Sequence, residues 1–234
     1  MKAIIGGTGI DEVVESGKIK SIETKYGNVV YYEDGDLIFL LRHGNEHEVP
    51  PHLINYRANV EALSLLNVDE VISIYCVGSI KKEYGVGCCT LIDDFIDFTT
   101  RGNKSFSIKG NVFHERMFNI FDSELQKKII KNSKSEGIDM MDGGIYVCTE
   151  GPRFETKSEI KMYGILGGDF VGMTAIPEIP LIKEKKIKIA SIAYSINWAT
   201  GLENKNGMIF VGNEEIKQLS KKIIKISIKA LKDK

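Results

Sequence analysis

The strongest constraint in this chain is an alternation of two periods. Short apolar runs closed by turn residues are separated by longer segments whose apolar residues recur at helical spacing. Residues 1–5 lead straight into Gly6-Gly7-Thr8-Gly9, which reads as a buried strand entering a tight turn. Residues 29–32 and 37–41 flank Asp34-Gly35-Asp36 and predict a hairpin. Residues 54–66 carry apolar side chains at 54, 58, 62, 65 and 66, a helix that Asn67 ends. A β-branched strand over 71–77 follows, closed by Gly78-Ser79. Residues 145–148 and 170–172 predict strands with a helix over 157–166 between them, and 187–195 predicts another strand. From about Glu214 a final helix puts Ile216, Leu219, Ile223, Ile226 and Ala230 on one stripe. Strands alternating with helices predict an α/β layered fold. No repeat, low-complexity tract or linker divides the chain, so residues 1–234 read as one domain.

Charge excludes some partners. The 31 basic and 32 acidic residues nearly cancel, which gives no reason to expect nucleic acid or an anionic membrane. No apolar run approaches a membrane span and no leader is visible, so a cytoplasmic protein is expected. Cys76, Cys88, Cys89 and Cys148 lack C-x-x-C spacing and read as free, mostly core thiols.

Chemistry gathers in a few places. In Gly6-Gly7-Thr8-Gly9 the backbone N–H groups and the Thr8 hydroxyl can face an anion, although a purely structural turn fits equally well. The run is neither G-x-G-x-x-G nor Walker A, which demotes a nicotinamide cofactor. Arg42-His43 lies at a strand end, where Arg42 can offer a fork to phosphate or simply form a surface ion pair. His43, His47 and His52 invite a metal reading, but Pro50-Pro51 breaks the helix that a His-Glu-x-x-His site needs. A loop shaping a pocket is the better reading. Met173 would ordinarily be core, and Glu155 an acid at a helix N-terminus.

Taken in order, Gly6-Gly7-Thr8-Gly9, Arg42-His43, residues 150–156 (Glu-Gly-Pro-Arg-Phe-Glu-Thr), Val171-Gly172-Met173-Thr174 and Asn197 resemble the trimeric purine nucleoside phosphorylase and methylthioadenosine phosphorylase family. The resemblance runs from residue 3 to about residue 200. It implies a three-layer α/β sandwich with a mixed central sheet, and phosphorolysis of a nucleoside to free base and sugar 1-phosphate. Thr8, Arg42, His43, Thr174 and a backbone N–H near Cys76 would contact phosphate, with Arg42, His43 and Asn197 the catalytic set. Met173 would pack on the ribose, His47 would face the ribose or its 5′ substituent, and Phe154, Glu155, Asn197 and Ala199 would meet the base.

Glu155 and Asn197 match the members that act on 6-oxopurines, where adenine-type members have a small hydroxyl residue and an Asp-x-Asp pair. The physics agrees: a carboxylate accepts from the N1–H of hypoxanthine or guanine, and confronts a lone pair at N1 of adenine. Inosine or guanosine is therefore the expected substrate, with inorganic phosphate as co-substrate and no cofactor. Methylthioinosine shares the 6-oxopurine edge and stays open, because the residue meeting its 5′ group would fall in 210–214. Methylthioadenosine is opposed by Asn197 and Ala199, and a non-catalytic purine-binding protein by the intact Arg42 and Asn197. The family also implies a homotrimer or a pair of trimers. Phe95, Phe98, Phe106 and Phe113 form a cluster too aromatic for a free loop and are the candidates for that contact.

Overall fold

The computed structural model describes residues 1–7, 17–202 and 212–233. Among these residues eleven strands form one mixed sheet. The first branch runs β2 (Lys18–Thr24), β3 (Gly27–Asp34), β4 (Leu37–Leu41), β1 (Lys2–Gly6) and β5 (Glu70–Ser79). The second continues from β5 through β10 (Phe170–Gly172) and β9 (Ile145–Cys148) to β7 (Asp94–Asp97). Along its other edge β5 pairs with β11 (Lys188–Trp198), which leads to β6 (Cys89–Leu91) and β8 (Met140–Met141).

One detail of this topology matters for the site. β1 pairs in parallel with β5 only over Lys2–Ile5 against Glu70–Ser73. On the same edge, β10 pairs antiparallel with Ser79 and Gly78. The edge therefore changes partner between those rungs, and the sheet parts into two branches there.

Side chains alternate across the strands, so each face receives its own core. Ala3, Ile5, Ile38, Leu40, Val71 and Tyr75 face α1 (Tyr56–Leu65) and α4 (Ala175–Glu184). Ile4, Leu37, Phe39, Ile72 and Ile74 face α2 (Ser123–Ser135) and α5 (Asn213–Lys232). A smaller cluster under α3 (Lys157–Ile165) joins Val147, Ile160, Tyr163, Val171 and Ala199. Helices on both faces of a mixed sheet make the three-layer α/β fold. The α5 stripe is seated as its period demands, with Ile216, Ile223, Ile226 and Ala230 buried and Leu219 packed beside them.

The aromatic cluster departs from expectation. Phe106 is buried against Tyr26, ring centroids 5.7 Å apart, with Lys185 Nζ 4.4 Å over its ring. Phe95 and Phe113 pack partly buried on the same layer, and of the four only Phe98 is exposed. These rings mostly fasten the segment after β7 to its own core.

Candidate active site

Where the sheet parts, a cleft of about 660 Å³ opens. One wall is Gly7 beyond β1, Arg42 and His43 beyond β4, and the loop His47–Pro51; β5 contributes Cys76, Val77 and Gly78 as the floor. The other wall is Val171–Thr174 with Phe154, Glu155, Asn197, Ala199 and Thr200. Every phosphate, ribose or base candidate named from the sequence lines this cleft except Thr8, which lies outside the described residues, as do 210 and 211 of the stretch 210–214. Ligands in open α/β sheets collect at such strand ends.

Arg42 is not a surface residue. Its side chain and that of Glu178 on α4 are each 1% exposed. Nε donates to Glu178 Oε2 at 3.0 Å and Nη2 to Oε1 at 2.9 Å. Nη1 donates to the Ile74 carbonyl at 2.8 Å and Nη2 also reaches Ile5 O at 3.4 Å, so the guanidinium bridges β1 and β5 where their pairing stops. Tyr75 Oη donates to Glu178 Oε1 at 2.7 Å, and its ring lies 4.6 Å from Arg42 Cζ. Burial alone would pull the Arg42 pKa down; the adjoining Glu178 carboxylate outweighs it and raises it. Of five guanidinium hydrogens, one on Nη1 is uncommitted among the described residues, and Nη1 is the guanidinium atom nearest Gly7. Arg42 thus brings one directed donor with its charge already balanced.

His43 Nδ1 lies 2.8 Å from the Val49 carbonyl and donates to it. Burial, opposed by that bond and reinforced by Arg42, lowers the His43 pKa to about 4. The ring is therefore neutral near pH 7, and Nε2 carries a lone pair. A side chain on Gly7 would come 2.9 Å from His43 Cδ2, so only glycine lets β1 end this close to the ring. His47, at φ 57°, stacks on His43 with centroids 4.4 Å apart. Residues 43–50 form turns and loop and Pro51–Leu53 a single 3-10 turn, rather than the helix of a zincin. Among the described residues, no group of three or more His, Cys, Asp or Glu could hold a metal ion.

Across the cleft, α3 is capped by Thr156 and Glu159 in a reciprocal box, with Arg153 bracing Glu159. Glu155 precedes the cap and turns inward, 6% exposed, where Thr149 Oγ1 donates to Oε1 at 2.7 Å. A dipole-facing surface acid is excluded, since Glu159 occupies that position. Asn197 is buried because β11 carries an extra residue: the register against β5 shifts between Ser195 and Asn197. Such a bulge re-aims the next side chain. Asn197 Nδ2 donates one hydrogen to Trp198 O at 2.8 Å, leaving a second and Oδ1 for a ligand. Met173 Sδ sits against Gly151, where an added Cβ would lie 2.7 Å away. Cys148 stands behind this wall, its thiol pushed up to about 12 by burial, which makes it a poor nucleophile.

Sequence reasoning missed Glu178, Thr149, Tyr75 and Arg101. For Glu178 a signal existed: a carboxylate within the apolar run Ala-Ile-Pro-Glu-Ile-Pro demands a buried cation.

The Phosphorylase superfamily profile matches residues 2–232. The chain belongs to that superfamily. This phosphorylase is 40% identical over 97% of its length to a probable S-methyl-5′-thioinosine phosphorylase of Methanocaldococcus jannaschii, covering 90% of that protein. To the 6-oxopurine nucleoside phosphorylase of Pyrococcus furiosus it is 37% identical, over 98% of this chain and 91% of that one. Among solved structures, a methylthioadenosine phosphorylase from an antarctic soil metagenomic library superposes with TM-score 0.85 at 29% identity, over 97% of this chain and 84% of that one. The protein is a nucleoside phosphorylase, a pentosyltransferase.

Proposed function

We propose that this phosphorylase cleaves 6-oxopurine nucleosides, inosine and guanosine, with inorganic phosphate. The observation that carries the reading is the buried Glu155 in a cleft shared with Asn197. Thr149 occupies one carboxylate oxygen, and the other accepts N1–H of a 6-oxopurine. Adenine would set a lone pair against it, at about 1–3 kcal/mol or more for a charged group. The spare Asn197 N–H meets charge moving into N7 and O6 as the glycosidic bond stretches.

Phosphate is taken between the Gly7 turn, the uncommitted Arg42 hydrogen and Thr174, with His43 Nε2 accepting from a protonated phosphate oxygen. Its oxygen attacks the anomeric carbon, and its charge steadies the cationic sugar. Phe154 covers the base, Met173 underlies the ribose, and the Cys76 backbone completes the phosphate shell.

Methylthioinosine is the second reading, favoured by the apolar wall Val49-Pro50-Pro51 beside His47 and by the name of the M. jannaschii relative. The deciding measurement is phosphate-dependent base release from inosine, guanosine, adenosine and their 5′-methylthio forms. Inosine and guanosine should exceed adenosine in kcat/KM by about a hundredfold; adenosine preference would sink the assignment.

The assembly is proposed to be a homotrimer or a pair of trimers. Support comes from α3 and its surroundings, where Met162, Ile165, Leu166, Leu202 and Phe154 are exposed. Light scattering at micromolar concentration should give three or six chain masses; a monomer would reject this.

A further inference from the structure

Arg101 belongs to no part of the cleft lining, yet its side chain is only 7% exposed. Its donors run to the back of the Met173 and Glu155 wall and to the end of the His47–Pro51 loop opposite. Nη2 donates to the carbonyls of Glu150 at 2.9 Å, Met173 at 3.0 Å and Thr149 at 3.2 Å. Nη1 donates to Tyr56 Oη at 2.9 Å and to the Pro51 carbonyl at 3.2 Å. Nε faces Glu150 Oε1 at 3.4 Å. The same carboxylate returns the constraint, since Glu150 Oε2 accepts from the backbone N–H of Thr100 at 2.5 Å and of Arg101 at 3.1 Å. One planar fork thereby joins three chain segments remote from one another in sequence.

We infer that Arg101 is a positioning residue for the nucleoside half of the cleft, acting independently of the Arg42–Glu178 pair that sets the phosphate half. This rests on the nucleoside reading above. Thr149 holds Glu155 through its hydroxyl, so fixing the Thr149 carbonyl fixes the group that meets the base. Met173 and the end of the His47–Pro51 loop are pinned by the same guanidinium. None of the bonds made by Arg101 reaches Gly7, Arg42 or His43. A lysine, with a tetrahedral ammonium and three donors, keeps the charge and can satisfy only part of this set.

The test is steady-state kinetics of the full-length enzyme with inosine and phosphate varied separately, in wild type, Arg101→Gln and Arg101→Lys. Loosening the wall by an ångström costs about 10- to 100-fold, so Arg101→Gln should lower kcat/KM for inosine by that factor. The KM for phosphate should stay within about twofold, because Gly7, Arg42 and His43, all its proposed side-wall contacts except Thr174, are held elsewhere. Arg101→Lys should fall between the two, and carries the same test if the glutamine variant fails to fold. Inosine and phosphate constants that move together, or an inosine constant that does not move, would overturn the inference. Wild-type enzyme that releases no base from any 6-oxopurine nucleoside would overturn the functional reading instead, and the inference with it.

Discussion

Glu178 and Arg42 lie 136 residues apart in sequence and share two hydrogen bonds in the core. Removing one charge from such a pair strands the other, at about 3–5 kcal/mol. Glu178→Gln should therefore lower unfolding free energy by roughly 3 kcal/mol in urea titration; a loss below 1 kcal/mol would mean that the pair is dispensable. At Asn197, replacement by Asp sets a carboxylate against the Trp198 carbonyl that now receives a hydrogen bond. A proton must mediate that contact, so the variant should gain most at mildly acidic pH. The adenosine-to-inosine ratio of kcat/KM should rise about tenfold, with Glu155 preventing full reversal. An unchanged ratio would show that Asn197 does not read the base. Arg42, Glu155 and Asn197 were legible because each sits in a short run of distinctive order. Thr149 and Arg101 were not. Their partners are backbone carbonyls and a carboxylate, which leave no pattern in residue types.

Among the elements, long strands and the amphipathic α1 and α5 followed from their periods, and α3 from its place between two strands, with ends shifted by a residue or a few. What escaped was mostly structure without a period, although α2, with Leu125, Ile129 and Ser133 buried at helical spacing, was missed as well. β6 and β8 span Cys89–Leu91 and Met140–Met141, too short to alternate. β2 is an edge strand with mostly exposed side chains, and α4 contains Pro180, a residue that argues against helix. The end of β10 offers a test of how tightly this layer is built. A Cβ on Gly172 would lie 2.0 Å from Tyr146 Oη. Gly172→Ala should destabilise by about 1–3 kcal/mol through overpacking. Adding Tyr146→Phe removes the clashing oxygen and should restore part of that loss. Thermal melts of the three variants decide it, and additive effects would rule out the contact.

The molecule as a whole should lose stability in mild acid for an identifiable reason. His43 titrates at about 4 when folded against 6.5 in the reference state. Its folded pKa is depressed, so the stabilisation is complete above pH 6.5 and is lost as pH falls toward 4. Within that window the unfolded chain binds the extra proton, at up to about 1.4 kcal/mol per pH unit. Urea midpoints at pH 7, 5.5 and 4.5 should drop more steeply for wild type than for His43→Asn; parallel slopes would assign the effect elsewhere.

The parting of the sheet along β5 has a mechanical consequence. A ribbon unzipped over its middle rungs is a seam with two flaps, one carrying Gly7, Arg42 and His43, the other Met173 and Glu155. On the proposed reading phosphate is held mainly by the first flap, with Thr174 reaching it from the second, and the nucleoside mainly by the second. On that reading the two substrates together stitch the gap, and the attacking oxygen meets the anomeric carbon at the stitch.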